Sequence, residues 1–197
     1  MLKRSFDILA SGAGLLILLP LLGLIALAVK VDSRGPVLFR QERVGRNGTA
    51  FRICKFRTMH ATSSASGSQL TVGEDPRITR VGRTLRRYKL DELPQLLNVL
   101  SGDMSLVGPR PEVPRYVRTW DDETKAIVLS VRPGLTDLAS IQFRNESMLL
   151  AASDDPEKKY IEEIVPTKNK LAVRYIEQQS LWLDIKIILR TLAAILR

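Results

Sequence analysis

Two adjacent carboxylates, Asp91 and Glu92, lie in the stretch KLDELPQLLNVLSGDMSLVGPRPE at residues 89–112. An arginine-rich segment precedes them, and a Pro-Arg-Pro corner that restrains Arg110 follows them. Adjacent carboxylates repel each other unless a divalent cation or arginines share their charge. Carboxylates, Mg²⁺ and arginines are the usual groups of a phosphoryl-transfer site. One interpretation of the pair is therefore a site for a metal-bound phosphate.

The same pair has a purely structural interpretation. Asp91 would be the N-cap of a helix and Glu92 a first-turn acid, because both complement the positive end of the helix dipole. Pro94 weakens this interpretation, since it would be the third helical residue and has no N–H to donate to the cap. The residues alone leave both interpretations open.

Basic residues are in excess in this chain of 197 residues. Thirty Lys and Arg against 21 Asp and Glu give a net charge of +9, which favours a polyanionic partner: nucleic acid, anionic lipid or a phosphorylated substrate. Arg83, Arg86 and Arg87 have the spacing of one helical face, where an anion would offset their repulsion. Aromatic residues make up 6% of the chain, few for base stacking, so we expect no nucleic-acid partner.

Single copies of cysteine and histidine exclude several kinds of site. Cys54 alone cannot form an intramolecular disulfide or a cysteine-rich metal cluster. His60 alone excludes multi-histidine metal sites and argues against a Ser-His-Asp triad. The length suits one domain, or a smaller domain with a membrane element.

A membrane segment is predicted at residues 8–29, which carry no charge over 22 positions. As a helix this run would be roughly 33 Å long, enough to span a bilayer. Lys3 and Arg4 precede the run and Lys30 and Arg34 follow it, so the positive-inside rule favours neither orientation. The run is long for a signal peptide and lacks a small-residue cleavage site before a polar start.

Pro20 lies near the middle of this run, where it should kink the helix by removing a backbone donor. One outcome is a re-entrant helix whose two arms enter and leave the same leaflet, with both ends cytosolic. The other is an ordinary kinked spanning helix, since proline is tolerated in membrane helices. The residues alone favour neither.

A β-hairpin is predicted at residues 37–57, with Asn47-Gly48 in the tight turn. The alternation of its second strand places Lys55 and Arg57 on one face, either as a cation pair for a ligand or as charges that protect a strand edge. A loop rich in Ser, Gly and Thr follows at residues 61–75.

The C-terminal segment, residues 180–197, predicts an amphipathic helix. Its apolar residues form one broad face, and Lys186, Arg190 and Arg197 cluster beside that face. This pattern is typical of a helix at a membrane surface, and equally of a helix packed against a domain core.

Three stretches resemble the bacterial sugar transferase family, the monotopic phosphoglycosyl transferases. They are FRICKFRTM (51–59), DPRITRVGRTLRRYKLDELPQLLNVLSGDMSLVGPRPE (75–112) and RPGLT (132–136). KRSFDILAS near the start and LWLDIKIILRTL near the end are also similar to that family, so the resemblance covers nearly the whole chain.

The resemblance implies a reaction with assigned residues. Asp91 would be a nucleophile that attacks the β-phosphate of a UDP-sugar and expels UMP, and polyprenol (undecaprenyl) phosphate would then accept the phosphosugar. Glu92, with Asp91, would hold Mg²⁺. A carboxylate can act in this way when metal and arginines neutralise the phosphate that it approaches. Candidate phosphate-binding residues are Arg86, Arg110, Lys55, Arg57, Arg132 and Arg144.

The expected fold is α+β and rich in helix: a membrane helix at 1–34, re-entrant and broken at Pro20, and a catalytic domain at 35–197. The domain would hold the hairpin and the amphipathic helix 180–197, in contact with membrane lipid. The resemblance favours the re-entrant form and the cytosolic face of the bacterial inner membrane. It also implies a catalytic unit alone, without the extra N-terminal spanning helices and domain of larger members.

Two departures from the family pattern bear on these expectations. Leu19 precedes Pro20 where family members often have Ser, so a hydroxyl that could satisfy a freed carbonyl is missing. GLTDLASIQFRNE (134–146) stands where many members read approximately GLTGLAQVNGRN, with Asp137, Ser140 and Phe143 substituted. The sugar specificity of other members is therefore not transferred. The competing hypotheses are a membrane-tethered nucleic-acid protein and a membrane adaptor in which the acidic pair only caps a helix.

Overall fold

The computed structural model describes residues 2–61 and 70–196. Residues 62–69 of the predicted loop and residue 197 of the predicted C-terminal helix lie outside this range. The described residues form a helix-rich α+β structure, as expected. The α-helices are α1 (Leu2–Asp32), α2 (Arg80–Arg87), α3 (Leu96–Ser101), α4 (Pro114–Val117), α5 (Asp122–Val128), α6 (Leu138–Gln142), α7 (Glu146–Ala151), α8 (Pro156–Lys159), α9 (Val165–Glu177) and α10 (Leu181–Leu196).

The predicted hairpin is present. Strands β1 (Leu38–Val44) and β2 (Ala50–Phe56) pair antiparallel, with Leu38 opposite Phe56 and Val44 opposite Ala50. Asn47 and Gly48 in the turn have φ angles of 56° and 74°. These are positive values that asparagine and glycine tolerate best.

A second small sheet was not predicted. Strands β3 (Ser105–Val107) and β4 (Gly134–Thr136) pair in parallel. Gly108 and Gly134 let these strands meet, because a Cβ on Gly134 would overlap the backbone nitrogen and oxygen of Gly108. Three-residue strands are too short to show an alternation of apolar and polar residues, which is why the sequence did not indicate them.

Helix α1 is a single α-helix that continues through Pro20 and is long and apolar enough to cross a membrane. Its first turns are bound to the rest of the protein. Lys3 pairs with Asp184 of α10 at 2.6 Å, and Arg4 donates to the carbonyl of Val99 at 2.6 Å. Asp7 is buried and accepts from the Ser105 hydroxyl at 2.8 Å.

The last turn of α1 is bound to the same body. The Asp32 carboxylate accepts from the backbone N–H of Val81 in α2 at 3.1 Å. Ile25 and Val29 pack into an apolar cluster with Phe56 of the hairpin. Between the two anchored ends, the apolar side chains of α1 are largely exposed.

Helix α10 packs on the domain through one face and exposes apolar side chains on another. Ile187 and Asp184 are fully buried, and Asp184 accepts from the Tyr175 hydroxyl at 2.6 Å. Trp182, Leu189 and Leu192 point outward and are more than half exposed. One face of α10 therefore packs on the domain, and an apolar face remains uncovered by the residues that the structure describes.

Candidate active site

The two carboxylates lie in a 3-10 helix, Leu90–Gln95, that links α2 to α3. Lys89 takes the position before this helix and has a left-handed backbone, with φ of 54°. No side-chain hydrogen bond caps the helix start. The interpretation of Asp91 as an N-cap is therefore wrong, because the left-handed turn at Lys89 moves the helix start upstream and places Asp91 in the first turn. An adaptor hypothesis that needs this cap loses its support.

Glu92 is buried and paired with two cations. Lys55 Nζ lies 2.7 Å from Glu92 Oε1, and Arg110 contacts both carboxylate oxygens at 2.5 and 3.3 Å. Burial alone would raise the pKa of Glu92, but Arg110 and then Lys55 hold it well below the usual value. Glu92 is therefore ionised at neutral pH and its charge is neutralised within the protein.

Asp91 has the opposite environment. Its Oδ1 atom is buried and has no hydrogen-bond partner among the described residues. Burial, and then the negative charge of Glu92, raise the pKa of Asp91, against the smaller opposing effects of Lys55 and Arg86. An unpartnered buried oxygen is costly unless a ligand satisfies it. Of the two acids, Asp91 is thus the one whose carboxylate is available for chemistry.

Strand β2 delivers Lys55 to this pair. The side-chain amide of Asn98 in α3 accepts from Cys54 N–H and donates to Arg52 C=O, both at 2.9 Å. These two bonds lock the end of β2 against α3, and so place Lys55 beside Glu92. Burial lowers the pKa of Lys55, and Glu92 partly restores it.

The Pro-Arg-Pro corner aims Arg110 at Glu92 from the other side. A buried polar cluster holds this corner. Arg43 donates to Pro111 C=O at 3.0 Å and to Glu112 Oε1 at 3.3 Å, and the Tyr160 hydroxyl donates to Glu112 Oε2 at 2.5 Å. Glu92 raises the pKa of Arg110, so Arg110 stays charged.

Arg86 approaches Asp91 from α2. Its guanidinium donates to the hydroxyls of Thr58 at 2.9 Å and Thr71 at 3.0 Å, which orient it without neutralising it. Gly82 allows this approach, because a Cβ there would overlap the carbonyl of Thr58. Burial lowers the pKa of Arg86, and the charge of Asp91 opposes that effect.

The remaining predicted phosphate ligands are dispersed. Arg57 is buried and directed to the end of α1, where it donates to Ser33 C=O at 2.6 Å, to the Ser33 hydroxyl at 2.9 Å and to Pro36 C=O. Arg132 donates to Gly102 C=O at 2.7 Å, next to α3. Arg144 lines the same cleft as Asp91. The roles of these three arginines in phosphate binding stay predictions.

A large open cleft surrounds the carboxylates, with a volume of about 1520 Å³. Typical ligand pockets measure about 300–1,000 Å³, so the cleft has room for more than one small ligand. Its polar part is strongly basic: the cations on its wall include Lys55, Arg86, Lys89, Arg110 and Arg144.

Lys89 is one residue of this cleft that the sequence did not single out. It lines the cleft two residues before Asp91, and its charge lowers the pKa of both carboxylates, as a lesser cause. Its position in the motif YKLDELP was visible in the sequence. Its left-handed backbone was not, because lysine, unlike glycine or asparagine, does not indicate a positive φ.

A divalent cation at this site would be held by few protein atoms. No group of three or more His, Cys, Asp or Glu that could hold a metal exists among the described residues. Mg²⁺ commonly uses only one or two carboxylates, together with water and substrate phosphates. The Asp91 Oδ1 atom, which has no partner among the described residues, fits such a role. Glu92 Oε2 keeps a lone pair beyond its bond to Arg110, whereas Oε1 accepts from both Lys55 and Arg110.

Comparison with known proteins adds two findings. A model of the family described as bacterial sugar transferase matches residues 1–197. The undecaprenyl-phosphate glucose phosphotransferase of Komagataeibacter xylinus is 45% identical over 197 residues, covering 96% of this chain and 35% of the relative. The UDP-glucose:undecaprenyl-phosphate glucose-1-phosphate transferase of Caulobacter vibrioides is 41% identical over 201 residues, covering 98% of this chain and 69% of the relative.

A third relative has a different sugar in its name. The UDP-N-acetylgalactosamine-undecaprenyl-phosphate N-acetylgalactosaminephosphotransferase of Aeromonas hydrophila is 39% identical over 197 residues, covering 99% of this chain and 44% of the relative. The chain thus spans less than half the length of two of these three curated relatives. Relatives of similar identity carry names with glucose and with N-acetylgalactosamine.

Proposed function

Since the chain belongs to the bacterial sugar transferase family, we propose that it transfers a sugar 1-phosphate from a UDP-sugar to a polyprenol phosphate such as undecaprenyl phosphate, initiating a bacterial surface glycan. One observation carries this proposal. Asp91 lines a basic cleft, and its buried Oδ1 has no hydrogen-bond partner among the described residues, whereas Lys55 and Arg110 already neutralise the charge of the neighbouring Glu92. The names of the relatives supply the donor and acceptor classes.

The reaction proceeds in two displacements at phosphorus. A carboxylate oxygen of Asp91 attacks the β-phosphorus of the UDP-sugar, the bond from that phosphorus to the bridging oxygen breaks, and UMP leaves with that oxygen. The sugar phosphate is now bonded to Asp91. A phosphate oxygen of polyprenol phosphate then attacks the same phosphorus, which frees the Asp91 carboxylate and yields polyprenyl diphosphate sugar.

Fixed cations make the first displacement feasible. Two negatively charged groups, a carboxylate and a diphosphate, must approach each other in this step. Arg86, Lys89 and Arg110 line the cleft together with the two carboxylates, so positive charge is in place before substrate arrives. Preorganised charge of this kind stabilises the transition state without reorganisation during the reaction.

We assign a Mg²⁺ site to Asp91 and Glu92. The bound ion would neutralise charge on the diphosphate. The buried Asp91 oxygen without a protein partner supports this assignment. Equilibrium dialysis with Mn²⁺ as a probe should detect binding that Asp91→Asn weakens, and equal binding by both proteins would contradict the assignment.

We further propose that α1 is re-entrant and that the catalytic domain faces the cytosol at the inner membrane. At about 1.5 Å per residue, its 31 residues would extend roughly 46 Å if straight, well beyond a hydrocarbon core of about 30 Å. Both ends nevertheless contact the same domain, through Lys3 and Arg4 at one end and Asp32 at the other. A spanning helix would carry one end away from that domain.

Topology can be tested with single cysteines at Ser5 and Arg34, which are both exposed and lie at opposite ends of α1. Buried Cys54 is first replaced by alanine, and that variant is the unlabelled control. In right-side-out and inverted vesicles, a membrane-impermeant maleimide should label both positions from the cytosolic side only. Labelling of the two positions from opposite sides would refute the re-entrant helix.

The proposed activity has a direct assay. Purified protein with Mg²⁺ should release UMP from at least one member of a panel of UDP-sugars. Without polyprenol phosphate, UMP release should stop after one turnover. It should resume when polyprenol phosphate is added. Asp91→Asn should abolish release, and retention of full activity by this variant would contradict the role of Asp91.

A further inference from the structure

An apolar groove continues from the catalytic cleft and runs between α1 and α10. It belongs to the same cavity as Asp91. Its two walls are formed by side chains that are partly or fully accessible: Phe6, Ala10 and Gly14 on α1, and Ile188, Leu192 and Ile195 on α10. The α1 residues repeat every four positions and therefore share one face of the helix.

Small residues keep the α1 wall open. Ala10 and Gly14 have little or no side chain, which leaves space at this wall of the cavity. A Cβ at Gly14 would meet only Leu96 Cδ1, at an ordinary contact distance of 3.6 Å. A larger side chain at Gly14 would therefore occupy part of the groove.

The two helices that form the groove also carry the exposed apolar surface of the protein. Leu16 and Ile17 of α1 are 76% and 77% exposed, and Trp182 of α10 is 75% exposed. Exposed large apolar side chains on adjacent elements mark a surface that meets lipid or another apolar partner. The groove thus connects this surface with Asp91.

The chemical character of the cavity changes along its length. Near Asp91 the wall is cationic, with Arg86, Lys89 and Arg110, and between α1 and α10 it is apolar. Thr136 and Thr191 also line the cavity, and their hydroxyls are paired at 2.6 Å. An amphiphile with an anionic head and a long hydrocarbon chain is complementary to this arrangement.

We propose that the groove between α1 and α10 binds the isoprenoid chain of the polyprenol phosphate acceptor, with its phosphate directed toward Asp91. This inference rests on the proposed function, which supplies the acceptor. The groove would align the acceptor, because contacts with the isoprenoid chain would hold the attacking phosphate in line with the phosphorus on Asp91. The donor does not need the groove, so only the second displacement depends on it.

Filling the groove should therefore separate the two displacements. Gly14→Leu places a side chain inside the groove, and Gly12→Leu is its matched control, because a Cβ at Gly12 meets nothing within 4 Å and Gly12 does not line the cavity. Both full-length variants are reconstituted in lipid nanodiscs. The UMP burst without acceptor should equal that of wild type in both, which also shows that both are folded.

The acceptor step should respond differently. For undecaprenyl phosphate, Gly14→Leu should lower kcat/KM by about tenfold to 100-fold, because displacing a reacting group by about 1 Å costs on that order. The loss should be smaller for geranyl phosphate, whose chain is too short to fill the groove. Gly12→Leu should leave kcat/KM unchanged for both undecaprenyl phosphate and geranyl phosphate. Equal effects of the two variants would overturn the proposal.

A binding readout keeps the proposal testable apart from activity. A photoactivatable undecaprenyl phosphate should label peptides that contain residues 6–14 and 188–195, and Gly14→Leu but not Gly12→Leu should remove the label. Labelling elsewhere would overturn the groove assignment even if UMP is released. Equal labelling by a photoactivatable phospholipid would also overturn it, since an acyl chain would then be the occupant.

Discussion

Two neighbouring substitutions that remove one negative charge each should have different effects on stability: Glu92→Gln should destabilise the protein and Asp91→Asn should not. Glu92→Gln removes the carboxylate that pairs with Lys55 and Arg110. Asp91→Asn removes a carboxylate whose Oδ1 has no partner among the described residues. Both replacements are nearly isosteric, so differences in packing are small and the electrostatic effect is isolated.

The expected size follows from the burial of the ion pair. Breaking a buried pair by removing one partner costs about 3–5 kcal/mol, because the remaining charge stays buried without compensation. The Arg110 side chain is 31% exposed, so water recovers part of this cost. We expect Glu92→Gln to lower the free energy of unfolding by about 2–3 kcal/mol, a shift in Tm of roughly 4–12 °C for a chain of this size.

The pH dependence has a defined sign for each acid. The folded pKa of Glu92 is lowered, so its contribution is fully present above about 4.5 and is lost as the pH falls through the folded value. The folded pKa of Asp91 is raised, so ionisation of Asp91 lowers the free energy of unfolding. This destabilising effect is absent below about pH 3.8 and is complete once the pH exceeds the folded pKa. Asp91→Asn should therefore be as stable as wild type or more stable at neutral pH.

The assay is thermal unfolding of both variants and wild type in one detergent, with EDTA present so that bound metal does not contribute. The measurements run from pH 4 to pH 8. The gap between wild type and Glu92→Gln should be constant from about pH 5 upward and shrink below that. Equal destabilisation by the two substitutions would refute the assignment of different electrostatic environments to Asp91 and Glu92.

Three further substitutions test the elements that position the site. Gly134→Ala should destabilise by about 2 kcal/mol or more, because its Cβ would overlap the backbone of Gly108, the residue after β3. Gly23→Ala is the control, since a Cβ there meets nothing within 4 Å; equal unfolding temperatures of the two variants would contradict the close approach. Arg57→Ala should lower Tm, because the variant loses the hydrogen bonds to the end of α1, and should leave the donor KM unchanged. A rise in the donor KM would show that Arg57 also contacts the phosphate. Arg110→Lys should raise donor KM by about tenfold, since lysine cannot contact Glu92 and phosphate with a planar fork; an unchanged KM would exclude Arg110 from donor binding.

Local sequence signals predicted the features that depend on neighbouring residues. Asn47-Gly48 indicated the hairpin turn, because its positive φ angles follow from those residue types. The spacing of Arg83, Arg86 and Arg87 indicated α2. The pair Asp91-Glu92 and Arg110 of the Pro-Arg-Pro corner were visible as candidate chemistry.

Features that depend on distant contacts were not visible. The sequence could not show that Glu92 would be neutralised and Asp91 left unpartnered, because Lys55 and Arg110 come from separate elements. Lys3 suggested a charge flanking a membrane run, yet it pairs with Asp184 from the other end of the chain. Arg57 was predicted on the same face of the strand as Lys55, but its guanidinium donates to the Ser33 carbonyl just after α1.

The proposed mechanism requires that Asp91 becomes covalently bonded to the sugar phosphate. Intact mass spectrometry of the protein, mixed with Mg²⁺ and its UDP-sugar without polyprenol phosphate, tests this most directly. We expect a mass increase of one phosphosugar on the whole chain, located after proteolysis on the peptide that contains Asp91, with one UMP released per chain, and neither in Asp91→Asn. UMP release with no adduct, or an adduct on another residue, would contradict it.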